Sequence, residues 1–287
     1  MNKLKLKEIL QSFFIEDIGD RDITVTSIFQ GNERSSFSFI AKQDGVFCGE
    51  DVIRTGFGLL ADDVEIRMLV SDGDGIKQGQ KIADIHGPVA VLLTGERVVL
   101  NLVQRMSGIA TEASKAAKIL EGTRTKACDT RKTTPGLRML EKYAVTCGGV
   151  SNHRYGLYDG VMIKDNHIDF VGSITEAVRL VRKHAGHMVK VEVETSNAEQ
   201  VEEAVRAGAD VIMFDNCTPD EVKHLVKLVP HFIVTEASGG ITLNNLANYR
   251  DTGVDYISLG CLTHSVKALD ISAKVHYIRE DMCNEFA

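Results

Sequence analysis

The spacing of hydrophobic and polar residues changes partway along the chain and divides it into two regions. In the first hundred residues, an amphipathic helical pattern at 3–14 precedes strand-like runs at 35–42, 64–70 and 81–85. The segment SDGDG at 71–75 lacks the closing acidic residue of a calcium loop, so we predict a hairpin turn there. From 88 to about 121, apolar residues recur every three or four positions, which predicts a helix that crosses between domains.

Strands and helices alternate in the second region. Six apolar runs predict strands, and each ends in a polar or glycine signature: TKACDT, GVMIKDN, VKVEVET, DVIMFDN, FIVTEAS and YISLG. Helical patterns lie between them, which predicts parallel βα units. In a βα barrel the strand ends gather on one rim, where active sites form. The last twenty residues, 268–287, predict one more helix.

Composition narrows the class of protein. A chain of 287 residues with 44% hydrophobic residues can fill the core of an ordinary enzyme. No apolar run approaches the roughly 20 residues that span a bilayer, and the N-terminus does not resemble a signal peptide, so we expect a cytoplasmic enzyme without a membrane partner. The cysteines show neither a C-x-x-C pair nor metal-ligand spacing, which predicts free thiols. They are Cys48, Cys128, Cys147, Cys217, Cys261 and Cys283.

Positive charge is concentrated in one stretch of the sequence. Residues 131–167 hold six Lys or Arg and three Asp or Glu, a balance of +3, in a chain of net charge −7, so the rest of the chain carries −10. A nucleic-acid binder would spread its positive charge further. The pattern instead favours a focused pocket for a small polyanion.

Cationic residues follow the predicted strand ends in this stretch. Arg131, Lys132, His153 and Arg154 supply guanidinium forks and further donors, which suit carboxylates or phosphates. A solvated charged face is the alternative, but DTRKTTPG places the first two between a strand and a turn. Lys164 ends an apolar strand, where it could act as an imine-forming amine or as a cation that binds phosphate.

Carboxylates mark the next two strands. Glu192 and Glu194 alternate with valines and therefore share one face of their strand, and Asp215 ends the following strand. Glu194 and Asp215 suit three roles: binding ribose hydroxyls, stabilising developing positive charge, or holding Mg²⁺ directly or through water. A structural ion pair with Lys164 or Lys190 is the alternative, above all for Glu192.

Glycine-containing turns follow the last two predicted strands. We expect a helix after the first turn. Paired turns at the last two strands of a βα barrel favour phosphate binding by backbone N–H groups. The turns contain Ser238, Gly239 and Gly240, and Ser258, Leu259 and Gly260.

Long motifs in the chain closely resemble those of the quinolinate phosphoribosyltransferase family, from about residue 16 to residue 270. They are TGERVVLNLVQRMSGIAT, DTRKTTPGLRMLEKYAV, NHRYGLYDGVMIKDNH, VEVE, MFDN, EASGGI and GVDYISLGCLTHS. Val150 is a departure, because many members have a third glycine at this place before the NHR motif. The resemblance implies transfer of the phosphoribosyl group of phosphoribosyl pyrophosphate to quinolinate with decarboxylation, which gives nicotinate mononucleotide, pyrophosphate and CO₂ in NAD biosynthesis.

The resemblance also implies an architecture and residue roles. The fold would be α/β, with an N-terminal α/β open-faced sandwich (1–106 plus 267–287) and an incomplete α/β barrel (107–266), in a homodimer where Arg97 reaches the neighbouring subunit's barrel. Quinolinate's carboxylates would meet Arg131, Lys132, His153 and Arg154. Phosphoribosyl pyrophosphate and its Mg²⁺ would meet the catalytic residues Lys164, Glu194 and Asp215. The 5-phosphate would lie on the two turns, at Ser238, Gly239, Gly240, Ser258 and Gly260.

Three other functions compete with this one. A sister phosphoribosyltransferase of the same fold could act on another aromatic acid, although the intact DTRKTTPGLR and IKDNH argue against it. A Schiff-base aldolase would use Lys164 as its amine. A non-catalytic phosphosugar or dicarboxylate sensor has less need of Glu194 and Asp215 beside a polyanion.

Overall fold

A computed structural model describes residues 1–276 of the chain, which form two compact units, 1–111 with 266–276 and Glu112–Ser265. The predicted helix at 3–14 and the long helix from 88 to 121 are confirmed, as are the strands at 35–42, 64–70 and 81–85. The elements up to residue 119 are α1 (Lys3–Ile18), α2 (Ile23–Ile28), β1 (Arg34–Ala41), β2 (Gly45–Val46), α3 (Glu50–Leu60), β3 (Glu65–Met68), β4 (Gly75–Ile76), β5 (Lys81–Pro88) and α4 (Val89–Ile119).

All six predicted strands of the second region are confirmed, with the predicted helices between them. The elements from residue 126 are β6 (Lys126–Cys128), α5 (Arg138–Cys147), β7 (Val161–Ile163), α6 (Asp165–Val171), α7 (Ile174–His184), β8 (Val191–Thr195), α8 (Ala198–Ala207), β9 (Val211–Asp215), α9 (Pro219–Leu225) with a 3₁₀ turn (Val226–Leu228), β10 (Val234–Ser238), α10 (Leu246–Tyr249), β11 (Tyr256–Ser258), α11 (Cys261–His264) and β12 (Ile271–His276).

The first unit contains an antiparallel sheet of order β12-β1-β5-β3. Phe37 and Phe39 project from one face of β1, with ring centroids 5.3 Å apart, and pack on Phe57 of α3. Ser38 lies on the opposite face of β1, where it donates a hydrogen bond to Asp84 of β5. Apolar and polar side chains thus separate by the two-residue period of a strand, and the buried apolar face holds α3.

Two predictions in this unit are wrong. The predicted helix at 268–287 is a strand over Ile271–His276, paired antiparallel with β1, and its remainder lies outside the described residues. Apolar residues alternate with polar ones from Ile271, which suits the open edge of β1. The segment 71–75 forms a turn but no hairpin, because β3 pairs with β5 and β4 pairs with β2. Its Asp72 accepts hydrogen bonds from the N–H groups of Gly49 and Glu50, where α3 begins.

The second unit is built around a parallel sheet of order β6-β11-β10-β9-β8-β7. Consecutive strands are neighbours, with β6 added beside β11, as in the wall of an α/β barrel. No ladder joins β6 to β7 within residues 1–276, so the barrel is incomplete there. All six carboxyl ends lie along one edge of the sheet.

No helix within residues 1–276 is both long and apolar enough to cross a membrane.

Candidate active site

The register of the parallel sheet brings the predicted residues onto one face. Ser238 pairs with Asp215, and Glu194 pairs with Met213, two positions before Asp215. Because side chains alternate along a strand, Glu194, Asp215 and Ser238 project from the same face near its carboxyl edge. Lys164 follows the last residue of β7 on this edge.

Lys164 and Glu194 form an ion pair at the edge of the sheet. The Lys164 Nζ lies 2.5 Å from Glu194 Oε1, and the two side chains are 45% and 14% exposed. Burial raises the pKa of Glu194, and the charge of Asp215 raises it further, while Lys164 lowers it. The Lys164 amine is therefore engaged with a carboxylate, whereas an imine-forming lysine must reach a carbonyl substrate. This geometry supports the phosphate-binding alternative over the aldolase.

Two guanidinium groups lie close enough to repel each other. Burial lowers the pKa of Arg154, and the charge of Arg131 lowers it further. Arg154 Nη1 donates to the carbonyl of Gly160 at 2.9 Å, and the buried Arg131 Nη1 has no hydrogen-bond partner among the described residues. Such a pair has unused donors and positive charge that a dianion can satisfy.

His153 is engaged through both ring nitrogens. Nδ1 accepts a hydrogen bond from the backbone N–H of Arg154 at 2.8 Å, and Nε2 lies 3.0 Å from Glu192 Oε2 and 3.6 Å from Glu236 Oε2. Because Nδ1 accepts from this amide, the ring proton lies on Nε2 in this arrangement. Burial lowers the pKa of His153, but the hydrogen bond to Glu192 and the charges of both glutamates outweigh it and raise the pKa overall. His153 therefore has no unengaged ring nitrogen for a ligand in this arrangement.

Glu236 and Glu192 form a second, buried carboxylate pair, of which the sequence analysis named only Glu192. Glu236 was not predicted, although EASGG places it on the same strand as Ser238. Burial and the charge of Glu192 raise the pKa of Glu236 to about 7. One oxygen of each carboxylate, Oε1, is buried without a hydrogen-bond partner among the described residues. Within residues 1–276, the alternative of an ion pair with a lysine is not found for Glu192, which pairs with His153, but it is found for Glu194, which pairs with Lys164.

The buried group of His153, Glu192 and Glu236 has donors that could in principle hold a metal ion. The proton on His153 Nε2 opposes this, because a metal-bound Nε2 needs the proton on Nδ1, which accepts from Arg154. A cavity of about 270 Å³ adjoins the group. It includes Val211 and Val234, at the amino ends of β9 and β10, so it lies toward the edge opposite Lys164.

A fully buried ion pair supports the arginine segment, and sequence reasoning missed it. Lys142 Nζ donates to Asp129 Oδ1 at 2.5 Å and to the carbonyl of His153 at 2.9 Å. Asp129 also accepts from Asn152 Nδ2 and from the N–H of His153. Burial raises the pKa of Asp129, and Lys142 opposes this. The available signal was a lysine among the buried residues of α5.

The first glycine turn has a backbone conformation that favours glycine. Gly239 and Gly240 have φ values of +93° and +63°, which other residues rarely adopt. The helix predicted after this turn is confirmed as the short α10, which begins at Leu246. A turn intervenes, in which Asn245 accepts from the N–H of Thr242 and donates to the carbonyl of Gly240.

The second turn lies beside Lys132. A Cβ added at Gly260 would be 3.0 Å from Lys132 Cδ and 3.1 Å from His264 Cδ2, so only glycine leaves both side chains undisturbed. Ser258 is buried at the end of β11. His264 was not predicted, although LTHS follows the turn directly in the sequence.

Arg97 and the cysteines are the remaining residues considered in the sequence. Arg97 is exposed on α4 in the first unit. Cys128, Cys217 and Cys261 are free thiols, and Cys283 lies outside the described residues. Burial raises the pKa of Cys217 and of Cys261, which is opposite to the activation of a nucleophile.

Cations, carboxylates and glycine turns at one edge of an incomplete barrel define an α/β enzyme for polyanionic substrates. Residues 22–107 match the N-terminal domain of quinolinate phosphoribosyl transferase, and residues 109–274 match its C-terminal domain. The chain belongs to the quinolinate phosphoribosyl transferase family.

Named relatives agree with this assignment. The chain is 57% identical to the probable carboxylating nicotinate-nucleotide pyrophosphorylase of Bacillus subtilis, over 98% of this chain and 97% of the relative. It is 39% identical to a mitochondrial decarboxylating quinolinate phosphoribosyltransferase of Nicotiana glauca, over 94% and 82%. The structure of NadC from Streptococcus pyogenes superposes with a TM-score of 0.92 at 38% identity, covering 96% of this chain and 97% of that one.

Proposed function

We propose that this chain transfers the phosphoribosyl group of phosphoribosyl pyrophosphate to quinolinate and releases pyrophosphate and CO₂, giving nicotinate mononucleotide. The observation that carries the proposal is the Lys164–Glu194 ion pair beside Asp215, on the same sheet face as the glycine turn. Such a set suits a sugar with an anionic group at each end.

Quinolinate is assigned to the arginine pair. Its two carboxylates would repel phosphoribosyl pyrophosphate strongly at a few ångströms without neutralisation. Arg131 supplies an unpartnered buried donor, and Arg154 is the second cation. Lys132 follows Arg131 in the chain and lies beside the second glycine turn, where it can meet a carboxylate or a phosphate. His153 acts through its hold on Arg154, since its ring nitrogens are engaged.

Phosphoribosyl pyrophosphate is assigned to the edge from Lys164 to the glycine turns. The 5-phosphate would accept hydrogen bonds from the N–H groups of Gly239 and Gly240. Glu194 and Asp215 offer the oxygen ligands that Mg²⁺ prefers, and they lie close enough for their charges to interact, so they fit a shared cation. Mg²⁺ would neutralise charge on the departing pyrophosphate when it is bound.

The chemistry follows from these positions. The pyridine nitrogen attacks the anomeric carbon as pyrophosphate leaves, and a carboxylate at Glu194 or Asp215 stabilises the positive charge that develops on the ribose. Lys164 neutralises the leaving group. Alkylation makes the ring nitrogen cationic, so loss of the 2-carboxylate as CO₂ leaves a carbanion beside a positive charge, which takes up a proton from water, and the step needs no organic cofactor. Positioning supplies much of the remaining rate.

The test is a product assay with purified protein, quinolinate, phosphoribosyl pyrophosphate and Mg²⁺, following nicotinate mononucleotide and CO₂. Nicotinate replaces quinolinate in the control. Product from quinolinate alone supports the proposal. Turnover of nicotinate would point to a sister transferase, and silence with both would restore the sensor. Omission of Mg²⁺ is expected to abolish turnover, and full activity in a chelator would contradict the cation assignment.

We further propose a homodimer in the cytoplasm, in which the exposed Arg97 completes the partner's site. A mixture of Arg97→Ala and Lys164→Ala proteins, unfolded and refolded together, is expected to recover about one quarter of wild-type activity, because half of the dimers are mixed and one of their two sites is intact. Each variant alone should be nearly inactive. A mixture no more active than its components would contradict a shared site.

A further inference from the structure

The chain leaves β9 through an unusual backbone conformation at Asn216. Its φ is +55°, the one positive φ of a residue other than glycine among residues 1–276. Asparagine tolerates this left-handed region better than most residues, but glycine adopts it with less cost. Conformations of this kind persist where the surrounding structure fixes them, and they cluster at functional sites. The side-chain contacts of Asn216 are what distinguish it from the glycine that this backbone conformation favours.

Asn216 contacts the two neighbouring strand ends at once. Its side-chain Nδ2 donates to Asp215 Oδ2 at 2.8 Å, and its backbone N–H donates to the carbonyl of Ser238 at 2.9 Å. Donation to Oδ2 restricts the rotation of the Asp215 carboxylate and leaves Oδ1 for another ligand. The backbone bond continues the β9–β10 ladder by one step, into the glycine turn.

Gly239 packs directly against this residue. A Cβ added at Gly239 would lie 2.3 Å from Asn216 Oδ1 and 2.6 Å from Asn216 N. The turn therefore approaches Asn216 as closely as a chain without a side chain allows. Beyond Asn216, the carbonyl of Cys217 accepts a hydrogen bond from the buried Tyr249 Oη at 3.0 Å, which fixes the exit of the segment.

We infer that Asn216 is a positioning residue, which sets the Asp215 carboxylate and the Gly239 turn at a fixed spacing that matches a 5-phosphorylated ribose. Asp215 would meet the ribose end and the turn would meet the 5-phosphate, an assignment that rests on the proposed function. Asn216 acts through both neighbours and need not touch the substrate.

Three variants distinguish the effect of the backbone conformation at residue 216 from the effect of the Asn216 side-chain amide. Asn216→Gly keeps the backbone conformation and removes the amide, Asn216→Ala removes both, and Asn216→Asp replaces the donor by a second carboxylate beside Asp215. Asn32→Gly, at an exposed position in the first unit, is the matched control. We expect Asn216→Gly to keep the wild-type unfolding temperature and to raise the KM for phosphoribosyl pyrophosphate about tenfold, since it loses a hydrogen bond to a charged group. Its KM for quinolinate should stay unchanged.

The other variants extend the series. Asn216→Asp should raise the same KM more than Asn216→Gly, and Asn216→Ala should also lower the unfolding temperature. Unchanged kinetics in Asn216→Gly, or an equal rise in both KM values, would overturn the inference.

A second measurement does not depend on turnover. Calorimetric titration with ribose 5-phosphate should show about tenfold weaker binding to Asn216→Gly than to the wild-type and Asn32→Gly proteins. This holds even if the wild-type protein makes no nicotinate mononucleotide, which would reject the proposed function alone. Equal affinities in all three proteins, including no binding by any of them, would overturn the role of Asn216.

Discussion

Two carboxylate pairs share one face of the parallel sheet and differ in their surroundings. Glu194 and Asp215 lie near the carboxyl edge, where Glu194 pairs with the half-exposed Lys164. Glu192 and Glu236 are more deeply buried, 5% and 4% exposed, with His153 between them. Glu192 and Glu194 are only two residues apart on β8.

The comparison shows that residue type and strand position alone do not distinguish a carboxylate that binds a ligand from one that holds other site residues in place. Glu194 and Asp215 lie at the rim, and Glu194 contacts the half-exposed Lys164 there. This setting suits a charge that changes during the reaction. The buried pair holds the histidine that fixes Arg154. Removing deep charges should therefore unfold the protein, and removing rim charges should slow the reaction.

The largest effect on stability is expected at Lys142. Lys142→Ala leaves the buried Asp129 without its cation, which should lower the free energy of unfolding by about 3–5 kcal/mol. Urea denaturation of the variant and the wild-type protein measures this. Lys183→Ala, at an exposed position, is the control and should change stability by less than about 0.5 kcal/mol. A loss below about 1 kcal/mol at Lys142 would remove the contrast between deep and rim charges.

At the rim, Lys164→Ala should reduce kcat/KM roughly 10²–10³-fold, since in the proposed function it removes the cation that neutralises the departing pyrophosphate. Its unfolding temperature should stay near the wild-type value, because Lys164 is 45% exposed and its ion pair contributes little to stability. Steady-state kinetics and thermal unfolding on the same preparation test both halves. A variant that loses stability in proportion to activity would place Lys164 with the deep residues.

The smallest effect is a pH dependence at Glu236. Its folded pKa of about 7 lies above the ordinary 4.5, so the folded state keeps a proton that the unfolded state releases. The stability from this proton is complete below about pH 4.5 and is lost as pH rises through about 7. Relative to Glu236→Gln, the wild-type free energy of unfolding should fall across that window. Denaturation curves at several pH values measure the difference, with the exposed Glu199→Gln as control. Parallel pH profiles for wild-type protein and Glu236→Gln would contradict a neutral buried Glu236.

Much of this architecture could be predicted from the sequence. The six parallel strands and the helices between them follow from apolar runs and helical periodicity, which act locally. The shared face of Glu192 and Glu194 follows from the two-residue period of β8. Sheet pairing cannot be predicted in the same way, because it depends on which edge is available, and for this reason β12 was mistaken for a helix.

The buried residues that hold the candidate site in place could not be predicted from the sequence. Lys142 and Asp129 are far apart in the sequence relative to a helical turn, and only the fold buries them together. The roles of the Glu236 and Asn216 side chains depend on residues that the fold places beside them. The roles of the site residues, and the Mg²⁺ that two of them would hold, stay predictions.

The pairing of β12 with β1 has a consequence for the order of folding during synthesis. β1 lies in the sheet between β5, which ends at Pro88, and β12, which begins at Ile271. A ribosome that adds about 5–20 residues per second needs roughly 10–40 s to make the chain between those strands. Every strand of the second unit leaves the ribosome within that interval. The sheet that begins first is therefore completed last, and until then one edge of β1 stays open to a cellular chaperone or to another nascent chain.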